Sequence, residues 1–274
     1  MLSQWECLLK NCGHWHGSFT RFSPGGELLE DTPTLVSLDP INNNKTIYQL
    51  VRRFYPDKPP SDLVLQYSNL NKSVLFCENG AFSQGSIQWA PYSEFGSELG
   101  LIENDRRLRL VQMFDKDSNL EYMTLIREKL PDSTTPERPG LTIEQLLGRW
   151  RGEATTYYTD GRNPTTYETD LKIDRTGGDY LSQELRFGDR CITSQAKIET
   201  NRLLFLDNPM TVQILLLPDG ASCNTPLHIP PRQPFVLELG WLLSPRLRQR
   251  LIRGYDATGK WMGLTFVTES KEVS

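Results

Sequence analysis

The chain is written twice. Gly13-His14-Trp15-His16-Gly17 returns 135 positions later as Gly148-Arg149-Trp150-Arg151-Gly152, and the same spacing carries Thr20 onto Thr155, Gly26 onto Gly161, Thr34 onto Thr169 and Asp39 onto Asp174. Further along the spacing is 140, pairing Asn79-Gly80-Ala81 with Asp219-Gly220-Ala221 and Glu98-Leu99-Gly100 with Glu238-Leu239-Gly240. It ends at 141, with Arg107, Arg109, Leu110, Phe114, Asp115, Thr124 and Glu128 facing Arg248, Arg250, Leu251, Tyr255, Asp256, Thr265 and Glu269. Solenoid repeats run to about 20–50 residues, so a unit this long is a duplicated domain, large enough to build its own core. Residues 1–130 are expected to form one domain and 141–274 a second. Between them lies a linker at 131–140, where Pro131, Pro136 and Pro139 interrupt any strand or helix.

Strand signals dominate both halves. Leu203 to Leu206 and Thr211 to Leu217 are aliphatic and β-branched and flank Asp207-Asn208-Pro209, which reads as a hairpin turn; Arg250 to Tyr255 and Trp261 to Thr268 flank Asp256 to Gly259 in the same way. Helical signal is confined to Leu2 to Cys12 and to Thr142 to Leu147, where Thr142 is an N-cap candidate ahead of Glu144. Many short antiparallel strands argue for barrels, which remove exposed edges and can hold a small ligand. Strand alternation puts Trp15, Gly17 and Phe19 on one face and His14, His16 and Ser18 on the other, and separates Trp150, Gly152 and Ala154 from Arg149, Arg151 and Glu153. Small residues beside each tryptophan are expected to leave space open. On the closing strands the alternation blurs, since Leu108, Leu110 and Phe114 oppose Val111 and Met113, and it does not assign which face lines a cavity; an apolar outer face is where the two domains are expected to pack.

Composition narrows the setting. No apolar run reaches the roughly 18 residues of a membrane-spanning helix, and Met1 to Glu6 has neither the basic stretch nor the apolar core of a secretion signal. A soluble cytoplasmic protein, or its plastid-stroma equivalent, is expected. Cys7, Cys12, Cys77, Cys191 and Cys223 are odd in number and lack paired short spacings, which points to reduced thiols; Cys77 and Cys191 fall in strand-like runs and read as small core residues. A net charge of −4 gives no overall footprint for nucleic acid, although arginines cluster at 106–109 and 246–253.

A short helix leading into Gly13-His14-Trp15, and again into Gly148-Arg149-Trp150, with an arginine near the last strands, resembles the lipocalin and fatty-acid-binding-protein superfamily, the calycins. The resemblance implies that an arginine packs over each tryptophan and closes the barrel, with Arg109 and Arg250 as candidates; Arg107 and Arg248 are paired as well. Leu216 to Ala221, Leu251 to Asp256 and Leu264 to Glu269 make the whole chain similar to a family of cyanobacterial and plastid proteins with a tandem lipocalin-like fold. That similarity implies architecture and no assigned chemistry. The S-type phycobiliprotein lyases, which pass a bilin to an antenna protein, are distant single-barrel kin, and this chain carries none of their motifs.

The fold expected is therefore all-β, two tandem antiparallel lipocalin-like barrels, each preceded by a short helix. No Ser-His-Asp or Cys-His set is visible, so no catalytic residues are assigned. His14 and His16 share a strand face, but Arg149 and Arg151 replace them in the second copy, which leaves no metal site. Glu98 and Glu238 stand in apolar surroundings, either beside a strand arginine or as ligand anchors. Arg253, whose counterpart is Gln112, could clamp a ligand carboxylate. With Tyr255, Tyr158 and Glu238 it makes the ligand-binding set, drawn from a pool that includes Tyr157 and Tyr180, and it favours the second copy. The expected function is non-enzymatic binding of a small hydrophobic molecule such as a tetrapyrrole, carotenoid, quinone or fatty acid. No cofactor is required beyond a bound bilin or lipid, and phycobiliprotein or photosynthetic assembly proteins are the partners considered. The alternatives are a bilin-lyase-like enzyme and an assembly partner with filled barrels.

Overall fold

A computed structural model describes residues 2–206 and 209–272. Two short helices, α1 (Gln4–Leu9) and α2 (Ile143–Leu146), each precede a run of antiparallel strands. The first run is β1 (Gly13–Phe22), β2 (Leu28–Ile41), β3 (Thr46–Arg53), β4 (Ser61–Tyr67), β5 (Val74–Phe76), β6 (Phe82–Gly85), β7 (Phe95–Glu103), β8 (Arg106–Phe114) and β9 (Leu120–Lys129). The second is β10 (Gly148–Tyr158), β11 (Thr165–Gly177), β12 (Tyr180–Phe187), β13 (Arg190–Glu199), β14 (Arg202–Phe205), β15 (Val212–Leu216), β16 (Ala221–Pro226), β17 (Phe235–Ser244), β18 (Leu247–Tyr255) and β19 (Trp261–Lys271). The turn at Asp207-Asn208 lies outside the described residues.

Both helices begin with the same device. Ser3 and Thr142 accept hydrogen bonds from the backbone three residues on, while Glu6 and Gln145 reach back to the cap, so two otherwise unpaired amides are satisfied at each start. Each helix then hands the chain to a buried tryptophan. The Trp15 indole donates to the Asn11 carbonyl at 2.9 Å, and the Trp150 indole to the Leu146 carbonyl at 2.8 Å.

The two sheets differ in closure. The second is a closed barrel running from β10 to β19, with β10 paired to β19. The first has the order β4-β3-β2-β1-β9-β8-β7-β6-β5, curled but unpaired between β4 and β5. The reason is a strand count. In the second copy β14 sits between β13 and β15, with Ile198 opposite Leu203 and Leu203 opposite Ile214; in the first, residues 68–73 run from β4 to β5 without a strand.

The space beside each tryptophan is not open. A side chain at Gly17 would collide with the backbone of Arg127 and Glu128, and one at Gly152 with that of Thr268 and Glu269, because β9 and β19 press in there. Gly152→Ala is expected to lower stability by about 1–3 kcal/mol, read as a fall in the thermal midpoint. A midpoint unchanged within a degree would show that β19 can retreat.

The largest core lies between the barrels. The outer faces of β7 and β8 bring Leu99, Leu108 and Leu110 against Leu237, Leu239 and Leu251 of β17 and β18. The contact is pseudo-symmetric. An isolated bridge joins Gln88 to Lys260 and another joins Asn119 to His228, and these are equivalent pairs under the duplication. Phe95 lies 5.7 Å from its counterpart Phe235 at the centre, with Tyr255 stacked on Phe235 at 4.7 Å. Cys191, expected in a core, is exposed on β13, whereas Cys77 is buried just after β5. No helix among the described residues is long and apolar enough to cross a membrane.

Candidate functional site

Each barrel floor is built from two arginines, two glutamates and a tryptophan. In the first, Arg107 and Arg109 project inward from β8, two residues apart and on one face, and both bond Glu128 of β9, at 2.7 and 2.8 Å. Arg109 also pairs with Glu98 of β7. In the second, Arg248 and Arg250 share Glu269 of β19, and Arg250 reaches Glu238 of β17 at 3.4 Å. The guanidinium over each indole is that of Arg107 (4.5 Å from the Trp15 ring) and Arg248 (4.7 Å from Trp150). Arg109 and Arg250 stand one strand repeat further up and carry the ion pairs with Glu98 and Glu238. Gly13 and Gly148 open the strands at φ of 134° and 109°, in a region where L side chains are strained.

These quartets are electrically closed. Burial alone would raise the Glu128 carboxyl, but Arg107 and Arg109 outweigh it and hold the group below its ordinary value. Glu269 follows the same course with Arg248 and Arg250. With two positive and two negative groups bonded to one another, neither floor presents a free charge to a ligand.

The barrels part company above the floor. The second is filled at its base by Trp150, Leu171, Ile173, Leu181, Leu203 and Phe205, beneath α2. The first encloses a chamber of about 370 Å³, walled by Val36, Leu38, Leu65, Val74 and Phe82, with Asn69, Leu70 and Asn71 of the link between β4 and β5 in its lining. That volume falls within the span of small-molecule sites, about 300–1,000 Å³. Polar side chains share the lining, among them Asn11, Gln49, Gln66, Tyr67, Asn69 and Gln84. The Tyr67 hydroxyl donates to Gln49 at 3.1 Å, and burial pushes the Tyr67 phenol up to about 12, so it stays neutral. The Gln84 amide donates to Glu98 at 2.7 Å. Asn11, at the end of α1, is 2% exposed; its amide nitrogen donates to the Gly80 carbonyl at 2.8 Å, and its Oδ1 has no hydrogen-bond partner among the described residues. A buried acceptor without a donor costs about 1–3 kcal/mol, and this one borders the chamber.

The ligand set drawn from the sequence is not gathered in one place. Arg253 is fully buried on the outer face of β18 and points into the first domain, donating to Ser83 Oγ at 3.0 Å and to the Ser86 carbonyl at 2.9 Å while lying 3.4 Å over Trp261. Tyr255 donates to the same Ser86 carbonyl. Their duplicate explains the placement: Gln112, the counterpart of Arg253, contacts Cys223, the counterpart of Ser83. Tyr158 lies under Arg162 near the far end of β10, Tyr180 is exposed, and the Tyr157 hydroxyl accepts from the Glu78 amide of the first domain. Glu238 is in the second barrel floor, bonded to Arg250. His14, on the outer face, pairs with Asp39 at 2.8 Å.

The chamber residues were missed because sequence reasoning weighted the second copy. One signal was present. The repeat spacing rises from 135 to 140 between Asp39 and Asn79, over the stretch where the second copy gains β14.

Two family models match this chain. Residues 1–133 match the family model described as domain of unknown function DUF3598, N-terminal, and residues 137–272 match that of the C-terminal domain of biogenesis factor required for ATP synthase 1. A crystal structure of a DUF3598 protein of unknown function from Nostoc punctiforme shares 48% identity at a TM-score of 0.94, covering 99% of this chain and 100% of that one. The S-type phycobiliprotein lyase CPES of Guillardia theta is a distant likeness, at 15% identity and a TM-score of 0.40, over 48% of this chain and 90% of that one. No curated protein matches. The chain belongs to the DUF3598 family.

Proposed function

We propose that this DUF3598-family chain is a non-enzymatic binding protein whose first barrel holds one small molecule with an apolar body and an N–H or O–H donor. The observation that carries the reading is the Asn11 Oδ1, buried at the edge of the chamber and without a donor among the described residues. The closed floor disfavours a free carboxylate, since Arg107 and Arg109 are already engaged by Glu128 and Glu98. Of the ligand classes expected from the sequence, a tetrapyrrole brings pyrrole N–H donors; a carotenoid hydrocarbon or an oxidised quinone ring brings none, and a fatty acid at neutral pH brings only an anion.

Protein purified from its native cells is expected to release close to one equivalent of such a molecule on solvent extraction, identified by absorption and mass spectra. Asn11→Leu should weaken a donor-bearing guest by about tenfold or more, as expected for loss of one buried hydrogen bond, and leave a donor-free hydrocarbon unaffected. Equal weakening of both would remove the role given to Asn11. Covalent transfer of a bilin to an antenna subunit in a reconstituted assay would replace binding with catalysis.

The match of residues 137–272 to a biogenesis factor required for ATP synthase favours a second reading, in which the protein assists assembly of a multisubunit complex of that kind. Cells lacking the protein should then accumulate less assembled ATP synthase on native gels, with other complexes unchanged.

A further inference from the structure

We infer that the upper half of the second barrel is a binding cup for a small apolar molecule carrying two adjacent N–H donors, which Glu238 and Asn224 accept. Strand alternation places the parts. Arg248, Arg250, Ile252 and Gly254 follow one another up the inner face of β18, from the Trp150 floor to the open end, and Val236 of β17 stands directly opposite Gly254. Ile192 of β13 also faces inward, on the same side of its strand as Ala196 of the core. A barrel of eight strands already has an interior that side chains can just fill, and the diameter grows with strand number; this one has ten. Its packed residues occupy the base. Above them a side chain added at Gly254 would meet nothing within 4 Å, and the inward Val236 and Ile192 are 41% and 49% exposed.

The duplicate shows what was exchanged to open this space. In the first barrel Met113 faces Gly96 across β8 and β7, and its sulfur lies where a side chain on Gly96 would stand. Their counterparts are Gly254 and Val236, so the long side chain at that level is missing from the second copy. A second exchange concerns hydrogen bonds. Gln84 donates to Glu98 at 2.7 Å, but its counterpart Asn224 is one methylene shorter. Asn224 stands opposite Glu238 on the neighbouring strand, and its Oδ1 is buried with no hydrogen-bond partner among the described residues. Glu238 is held by Arg250 with both oxygens at 3.4 Å, longer than the roughly 2.7–2.9 Å of a charge-assisted bond. The floor is balanced in charge, so a guest needs no net charge there; what these two neighbouring acceptors lack is donors. Above them Tyr167 and Phe187, 6.0 Å apart on the same wall, suit a flat apolar body.

The inference goes beyond the first-barrel reading and is separable from it. The cup opens to water at its rim and should exchange its guest freely, so titration reads it better than extraction. The probe is 1,3-diphenylurea, a neutral molecule with two parallel N–H groups between apolar rings, added to full-length protein carrying labelled isoleucine and valine methyl groups. Saturable shifts are expected at Val236, Ile252 and Ile192. Diphenyl carbonate, with oxygen in place of both N–H groups, should bind at least tenfold more weakly. Asn224→Gln, which gives the second copy the longer amide of the first, and Gly254→Met, which gives it the missing bulk, should each weaken the urea at least tenfold, while Asn11→Leu should leave the Val236 shifts unchanged. The inference is overturned if the urea moves none of these three methyl groups, if the carbonate binds equally well, or if either second-barrel variant keeps full affinity. Loss of the Val236 shifts in Asn11→Leu would overturn it as well, by tracing them to the first chamber.

Discussion

Replacing Glu269 with glutamine is expected to cost about 3–5 kcal/mol of stability, the range for breaking a buried ion pair while leaving its partner charges behind. Glu269 bonds both Arg248 and Arg250, and all three side chains are nearly inaccessible to water. An amide would leave two guanidiniums to share Glu238 alone, beneath an indole that needs Arg248 held in place. Changing Arg248 and Glu269 together to leucine should cost less than the single Glu269→Gln change, because Arg250 and Glu238 would remain as a matched pair. Urea unfolding of the three proteins measures this, and a single change costing under about 1 kcal/mol would mean that water reaches the floor. The same group sets the response to acid. Its folded pKa lies below the ordinary carboxylate value of about 4.3, so its contribution is complete above that pH and drains away as pH falls toward the folded value. Unfolding midpoints measured downward from pH 5 should therefore decline less steeply in Glu269→Gln than in the parent.

Sequence symmetry made much of this legible, and its exceptions account for the rest. The glycine-tryptophan starts, the capped helices and the all-β character each follow from a local pattern present twice, so one copy checks the other. The stacking arginine was a choice between two positions on the same face of one strand, where periodicity gives no preference; only the strand's depth in the barrel selects Arg107 and Arg248. Cys191 illustrates a limit of β-propensity. Its strand is long and paired on both sides, yet its run from Arg190 to Thr193 stands beyond the barrel body and is exposed. The glycines beside the tryptophans read as vacant space, but a missing Cβ equally permits close approach of a neighbouring backbone, and that is its use here. Arg253 looked like a ligand clamp because its counterpart is not charged. A buried arginine between two domains follows the same arithmetic, and nothing within a single strand says on which side of the wall it lies.

The pseudo-symmetric contact carries the last expectation: neither half of the chain should be a stable monomer on its own. An interface in which each patch meets its own duplicate is what an isologous dimer becomes once its subunits are fused. Here the bridge between Gln88 and Lys260 answers that between Asn119 and His228, and Gln112 meets Cys223 as Arg253 meets Ser83. Expressed alone, residues 141–274 would bare Leu237, Leu239, Trp241, Leu251 and Trp261, an apolar face of the kind monomers rarely show. The second half is expected to self-associate through that face, at a mass near twice its own by light scattering, or to precipitate. In the intact chain the same packing should make thermal unfolding a single transition. Trp241→Ala, which empties a site with no exposure beneath the Arg138 guanidinium, should cost about 3–5 kcal/mol and speed hydrogen exchange in both halves together. A folded, monomeric 141–274, or exchange that quickens in the second barrel alone, would show that the halves are tethered neighbours whose cores stand apart.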